Sequence, residues 1–282
     1  MDVCIQQNSI NIQIDTATLI PGAIDPLTQT INSFDSISLA EMDSVKLMNR
    51  VDTKYLIGDS QLPELMKKAL KHYRVVEIDG KRILPYSTIY FDTDNTEMYM
   101  MHHNRKLNRY KIRMRSYIDS GISFLEIKSK NNKGRTSKKR IGIPSTQFES
   151  MLLNEKEQLF VTTKTPFLPL TLKPLLKNSF QRITLVDNDL TERITLDTSL
   201  TYLNLTDGIC KSVPGLVIIE MKQDGACRSA FKTFMNDLSI TPGSISKYCL
   251  GMVMVNPGLK SNRFKNKLRI INKISEKNYD TI

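Results

Sequence analysis

From Arg109 to Arg115 every second residue is a cation: Arg109, Lys111, Arg113 and Arg115 alternate with Tyr110, Ile112 and Met114. A β-strand sends successive side chains to opposite faces, so this run predicts one cationic face and one apolar face. Asp119, Ser120 and Gly121 supply turn chemistry. The chain then resumes with Phe124, Glu126, Lys128 and Lys130 alternating against Leu125 and Ile127. The stretch predicts a hairpin with a strongly charged face.

The habit recurs far away in the chain. Arg50, Asp52 and Lys54 fall within RVDTKYLI, and Lys138, Lys139 and Arg140 within Thr136–Ile143. Arg182 sits in FQRITLV, Arg193 in ERITLDT, and Glu220 and Lys222 in GLVIIEMK. Charge in mid-strand is costly when buried without a partner. A single such strand is satisfied by facing water on an open antiparallel sheet. Six strands that share the habit favour a closed barrel with a charged interior. Between them, Leu62, Leu65, Met66, Ala69 and Leu70 follow helical spacing, with Glu64, Lys67 and Lys68 opposite. The expected fold is therefore α+β: an eight-stranded antiparallel β-barrel with helices packed outside. Its expected limits are an N-terminal arm over 1–37, a barrel domain over 38–256 and a basic C-terminal tail over 257–282.

Composition narrows the ligand. The 282 residues carry a net charge of +11, which points to an anionic partner. Like charges ~6 Å apart repel by a few kcal/mol at an effective dielectric of ~20. Convergent lysines and arginines are thus unfavourable when empty and favourable around a phosphate chain. Among so many cations, Glu220, Glu126 and Asp52 read either as ligands for a divalent ion or as salt-bridge partners of the lysine two residues on. The four cysteines show no CxxC pairing, so neither a disulfide framework nor a zinc site is expected, and a reducing cytoplasm is the expected compartment. No secretory leader is expected, nor any apolar run approaching the ~20 residues of a membrane span. GxxxxGK[ST], GxGxxG and HExxH are all absent. Nucleic acid is not the expected partner, because the cations alternate within strands rather than clustering on a tail with exposed aromatics.

Taken in order, RVDTKYLI, YFDTD, RYKIRMRSY, FLEIKSK, ITLDTSL, VIIEMK and SKYCLGM resemble the VTC (vacuolar transporter chaperone) domain. This is the catalytic domain of polyphosphate polymerases, within the triphosphate tunnel or CYTH-like superfamily. The resemblance implies a tunnel whose basic residues grip the triphosphate of ATP and inorganic polyphosphate. By motif it implies Arg50, Lys54, Lys111, Arg113, Arg115, Lys128, Lys139, Arg182, Arg193, Lys222 and Lys247 as phosphate ligands. It also implies Lys54, Arg113, Arg115 and Glu220 at the reacting centre, and Glu220 and Glu126 as ligands of Mn²⁺ or Mg²⁺. The superfamily's first-strand ExExK is not intact, since Arg50 and Asp52 stand where acids occur; this favours the VTC branch over triphosphatases. Lacking the SPX and membrane segments of eukaryotic subunits, the chain resembles a stand-alone prokaryote-type member, with a membrane partner protein as a further expected possibility. The implied activity is transfer of the terminal phosphoryl group of ATP to polyphosphate. The alternatives are a triphosphate hydrolase of the same fold and a non-catalytic polyanion binder.

Overall fold

Alternating sequence becomes eleven strands among the described residues. They are β1 (Ser36–Ser38), β2 (Arg50–Gly58), β3 (Tyr73–Glu77), β4 (Leu84–Asp92), β5 (Arg109–Tyr117) and β6 (Ile122–Lys130), followed by β7 (Thr136–Ile143), β8 (Lys173–Asp187), β9 (Glu192–Asn204), β10 (Cys210–Val213) and β11 (Leu216–Asp224). The structure, a computed structural model, describes residues 26–43, 50–225 and 228–279; the side chains at 43, 50 and 277–279 lie outside that description. Residues 1–25 of the expected arm and the side chain of Arg50 therefore fall outside it.

Eight strands form one antiparallel path in the order β2-β11-β9-β8-β4-β5-β6-β7, with β3 and β10 added on β8 and β9 and β1 on β3. The eight-stranded antiparallel expectation holds, but the sheet is not a closed ring, because no backbone ladder joins β2 to β7 among the described residues. A local reason lies in both edges. The outer edge of β2 is taken by Gly243, whose N–H donates to the Lys54 carbonyl at 2.7 Å. On β7 every residue from Thr136 to Arg140 is exposed, and a lysine-rich edge resists pairing.

Nine helices accompany the sheet among the described residues: α1 (Pro26–Asn32), α2 (Leu39–Asp43), α3 (Leu62–Ala69), α4 (Glu97–His103), α5 (Ser145–Ser150), α6 (Glu155–Lys164), α7 (Ala230–Asp237), α8 (Lys247–Val255) and α9 (Lys265–Tyr279). Leu62, Leu65, Met66 and Ala69 of α3, with Phe231 and Met235 of α7, pack on Tyr55, Ile57, Ile183, Leu185, Ile194, Leu196, Val217 and Ile219. Phe148 of α5 and Val161 of α6 cover Ile112, Met114, Leu125 and Ile127. These are the alternate positions to the charged ones, so β2, β5, β6, β8, β9 and β11 bury their apolar face outward under helices and turn their polar face inward. Residues 265–279, within the expected basic tail, form a helix whose Ile271 is buried. Among the described residues no helix is long and apolar enough to cross a membrane.

The exception is α8, which packs on the inner face. Its Tyr248, Cys249, Leu250, Met252 and Val255 meet Tyr90, Leu176, Phe180, Tyr202 and Ile218. Gly251 makes this approach possible: a Cβ added there would overlap the Tyr202 ring and lie 2.7 Å from Leu176 Cδ2. One end of the concave side is thereby filled with hydrocarbon, and the other is left to the charged side chains.

Candidate functional site

Register fixes which side chains share the inner face. Across β2, β11 and β9, Lys54 stands opposite Glu220 and Glu220 opposite Thr195, while Asp52, Lys222 and Arg193 align in the next row. On β8 and β9, Arg182 pairs with Asp197. Along β5, β6 and β7, Arg113 aligns with Glu126 and Arg140, and Lys111 with Lys128 and Lys138. The two walls sense each other. Lys128 on β6 loses basicity first through burial, then through Arg113 and Lys54, while Glu220 and Asp52 across the cavity support its charge. The scattered cations therefore converge on one basin.

Four carboxylates partly neutralise it. Glu220 Oε2 lies 2.8 Å from Lys54 Nζ and its Oε1 lies 3.1 Å from Lys222 Nζ. Burial alone would raise the Glu220 pKa, but Lys222 and Lys54 hold it well below the usual carboxylate range. Glu126 is 1 % exposed and receives Arg113 Nη2 at 2.6 Å, Lys138 Nζ, and Arg115 Nη1 at 4.0 Å. Burial opposes its ionisation, and Arg113, Arg115 and Lys138 together still bring it down to about 2. Asp197 accepts from Arg182 Nε at 2.6 Å and Arg182 Nη2 at 2.8 Å, and also from Lys247 Nζ. Asp52 completes the set on β2.

Helix α8 adds the last cation. Ser246 caps it, accepting from the Cys249 N–H, and Lys111 Nζ donates to the same hydroxyl at 2.9 Å. An uncompensated helix N-terminus carries partial positive charge, so Lys247 enters the basin from an already positive direction. Lys247 also lies 3.4 Å from the centroid of the Phe180 ring. Burial, with Arg182 and Arg115 adding repulsion, depresses it to about 7 despite Asp197. Burial likewise depresses Lys111 and Lys222 to about 8. This basin holds its cations under electrostatic pressure that an anion would relieve.

Two expected ligands stand apart from the others, Lys139 by register and Glu126 by burial. Lys139 stands opposite Ile127 and shares its outward parity, so it leaves the basin; Lys138 and Arg140 point inward instead. The run of three basic residues hid this, because only ladder pairing selects its inward members. Glu126 is a counter-ion for Arg113 and Lys138, not an accessible metal ligand. Lys54, Lys111, Arg113, Arg115, Lys128, Arg182, Arg193, Lys222, Lys247 and Glu220 do share the inner face. Asp197 was missed, although it lies on the same alternation as Arg193 and Thr195, and that alternation was the available signal. His102 is no acid–base candidate: burial and then Lys111 push it down to about 3, and its Nε2 lies 3.0 Å from the Tyr110 carbonyl.

A divalent ion finds a limited donor set. Among the described residues no group of three His, Cys, Asp or Glu side chains converges. Glu220, 22 % exposed at its side chain, is the carboxylate that fits. A hard cation there would draw its remaining oxygens from phosphate and water, as Mg²⁺ commonly does.

The family described as VTC domain matches residues 49–256. Among solved structures, a candidate adenylate cyclase from Bacillus halodurans is similar at 16% identity and TM-score 0.46, over 71% of this chain and 96% of that one. A candidate adenylyl cyclase from Hippeastrum, described as having a dominant triphosphatase activity, is similar at 12% identity and TM-score 0.44, over 71% and 94%. A Pyrococcus horikoshii protein is similar at 13% identity and TM-score 0.40, over 72% and 98%. Likeness at that level carries no inference about activity. No curated protein matches the chain.

Proposed function

This chain belongs to the VTC domain family, and from that premise we propose that it is a polyphosphate polymerase, passing the terminal phosphoryl group of ATP to a growing inorganic polyphosphate chain. The observation that carries the reading is the inner-face basin, where cations from β2, β5, β6, β8, β9, β11 and α8 outnumber the carboxylates among them. In the reaction the bond between the terminal phosphorus of ATP and its bridging oxygen breaks, and ADP leaves. A terminal oxygen of the polymer forms the new bond to that phosphorus. Such transfers need alignment and charge neutralisation more than covalent help from the protein.

Arg113, Arg115 and Arg182 are the positioning groups, since their planar forks match phosphate oxygens. Lys54, Lys128 and Lys222 flank them, and Lys247 approaches with the positive end of α8 behind it. Arg50 and Arg193 are proposed to extend the same row. Glu220 would hold Mn²⁺ or Mg²⁺, which supplies charge neutralisation on the phosphates when bound. Lys54 and Lys222, which pair with Glu220, would stand beside that ion as phosphate donors. Because burial lowers the basicity of Lys247, Lys111 and Lys222, a bound phosphate chain would favour their charged forms.

The test is γ-labelled ATP with Mn²⁺ or Mg²⁺, resolved by gel. Label in a polymer ladder with matching ADP is expected. Label in orthophosphate alone would identify a triphosphate hydrolase instead, and unchanged ATP a binding protein. Glu220→Gln should abolish turnover; a loss under roughly tenfold removes the metal assignment.

A further inference from the structure

Beyond the basin, the inner face opens into a cavity of about 620 Å³. Lys111 and Lys128 belong to both, so the cavity continues the basin. Arg105 and Arg109, from the turn after α4 and the start of β5, line it with Lys130 of β6. Arg263 and Lys267 close it from the segment after the family-matched residues. None of its lining residues is acidic. The basin holds four carboxylates; this vestibule sets neutral groups against its cations, including Ser244 Oγ, which receives Lys267 Nζ at 2.9 Å, and the Lys106 carbonyl, which receives Arg109 Nη1 at 2.8 Å. The crowding acts on the groups themselves. Arg105 adds to what burial does in lowering Lys267, and Lys111, Arg109 and Lys128 add to what burial does in lowering His102.

We propose that the vestibule is a second phosphate-chain subsite, gripping the part of a linear inorganic polyphosphate that extends beyond the basin, and that Arg263 and Lys267 complete it. The inference rests on the reading that the basin takes chained phosphate. A small triphosphate fits within the basin and has no need of the vestibule; a long chain spans both. The vestibule thus provides length-dependent affinity. Its donors are mostly long, flexible side chains on different elements, which suits a repeating anion more than a ligand of fixed shape.

The experiment measures binding of tripolyphosphate and of long-chain polyphosphate to the whole chain by calorimetry across a salt series. The variant is Arg263→Ala/Lys267→Ala, with Lys67→Ala/Lys71→Ala on and after α3 as a control of equal charge change. The double vestibule variant should weaken long-chain binding roughly tenfold and lower the slope of log affinity against log salt by about 2. Tripolyphosphate binding should be unchanged, and the control should match the parent protein. Equal effects on both lengths, or none on either, overturn the subsite while leaving the basin intact. An oligonucleotide of matching charge binding as tightly as the long chain also overturns it. Failure of both phosphate lengths to bind the parent protein overturns the basin reading and the subsite together.

Discussion

Asp197→Asn removes one negative charge and leaves every contact nearly isosteric. Asp197 is 3 % exposed and answers two cations, Arg182 through two hydrogen bonds of 2.6 and 2.8 Å and Lys247 through a third. Removing one partner of a buried ion pair costs about 3–5 kcal/mol, because the remaining charge has no compensation. Lys247 already titrates at about 7 and relieves part of this by shedding its proton, so the lower end, about 3 kcal/mol, is expected. For a chain of this size that corresponds to a fall in Tm of roughly 6–12 °C. The variant should also gain affinity for phosphate chains, since Arg182 and Lys247 are released to the ligand. Saturating tripolyphosphate adds about 2.7 kcal/mol at a hundredfold excess over Kd, so at equal concentration it should raise the Tm of the variant more than that of the parent. Thermal melts with and without tripolyphosphate read both effects. An unchanged Tm, or a smaller ligand-induced rise in the variant, refutes the idea that Asp197 holds cations meant for phosphate.

Other consequences are independent of that pair. Lys247, Lys111 and Lys222 bind protons less tightly in the fold than in the unfolded chain, so the ligand-free protein should gain stability as pH rises from about 7 towards 10. Phosphate binding reverses those shifts, so at pH 8 it should take up protons and weaken with rising pH; calorimetry in buffers of different ionisation enthalpy detects the uptake. Lys138→Ala should reduce affinity for tripolyphosphate roughly two- to fivefold, in line with an accessible charge contact, whereas Lys139→Ala should leave it unchanged. Gly251→Ala should destabilise by about 1–3 kcal/mol in urea melts through overpacking against Tyr202 and Leu176.

Much of the scaffold is written in alternation. In β5 the periodicity of Arg109–Arg115 against Ile112 and Met114 specifies strand, face and burial together, because helices cover the apolar side. Where alternation is ambiguous, sequence reading fails for a physical reason. Lys138, Lys139 and Arg140 present the same charge at consecutive positions, and only their pairing with Lys128, Ile127 and Glu126 separates inward from outward. A register shift between Ser179 and Gln181 changes which residues of β8 and β9 oppose each other, and no local composition announces it. The inward packing of α8 depends on the contact of Gly251 with Tyr202 and Leu176, remote in sequence. Glu220 pairs with Lys222 at i+2 and with Lys54 across the ladder, while Glu126 takes its partners from neighbouring strands.

The direct measurement of the central claim is a crystal structure of the protein with tripolyphosphate. Phosphate density on the inner face, with oxygens within hydrogen-bond reach of Arg113, Arg115, Arg182 and Lys247, is the predicted result. Phosphate confined to the helix-covered exterior, with Arg182 and Lys247 still locked on Asp197, would contradict the account.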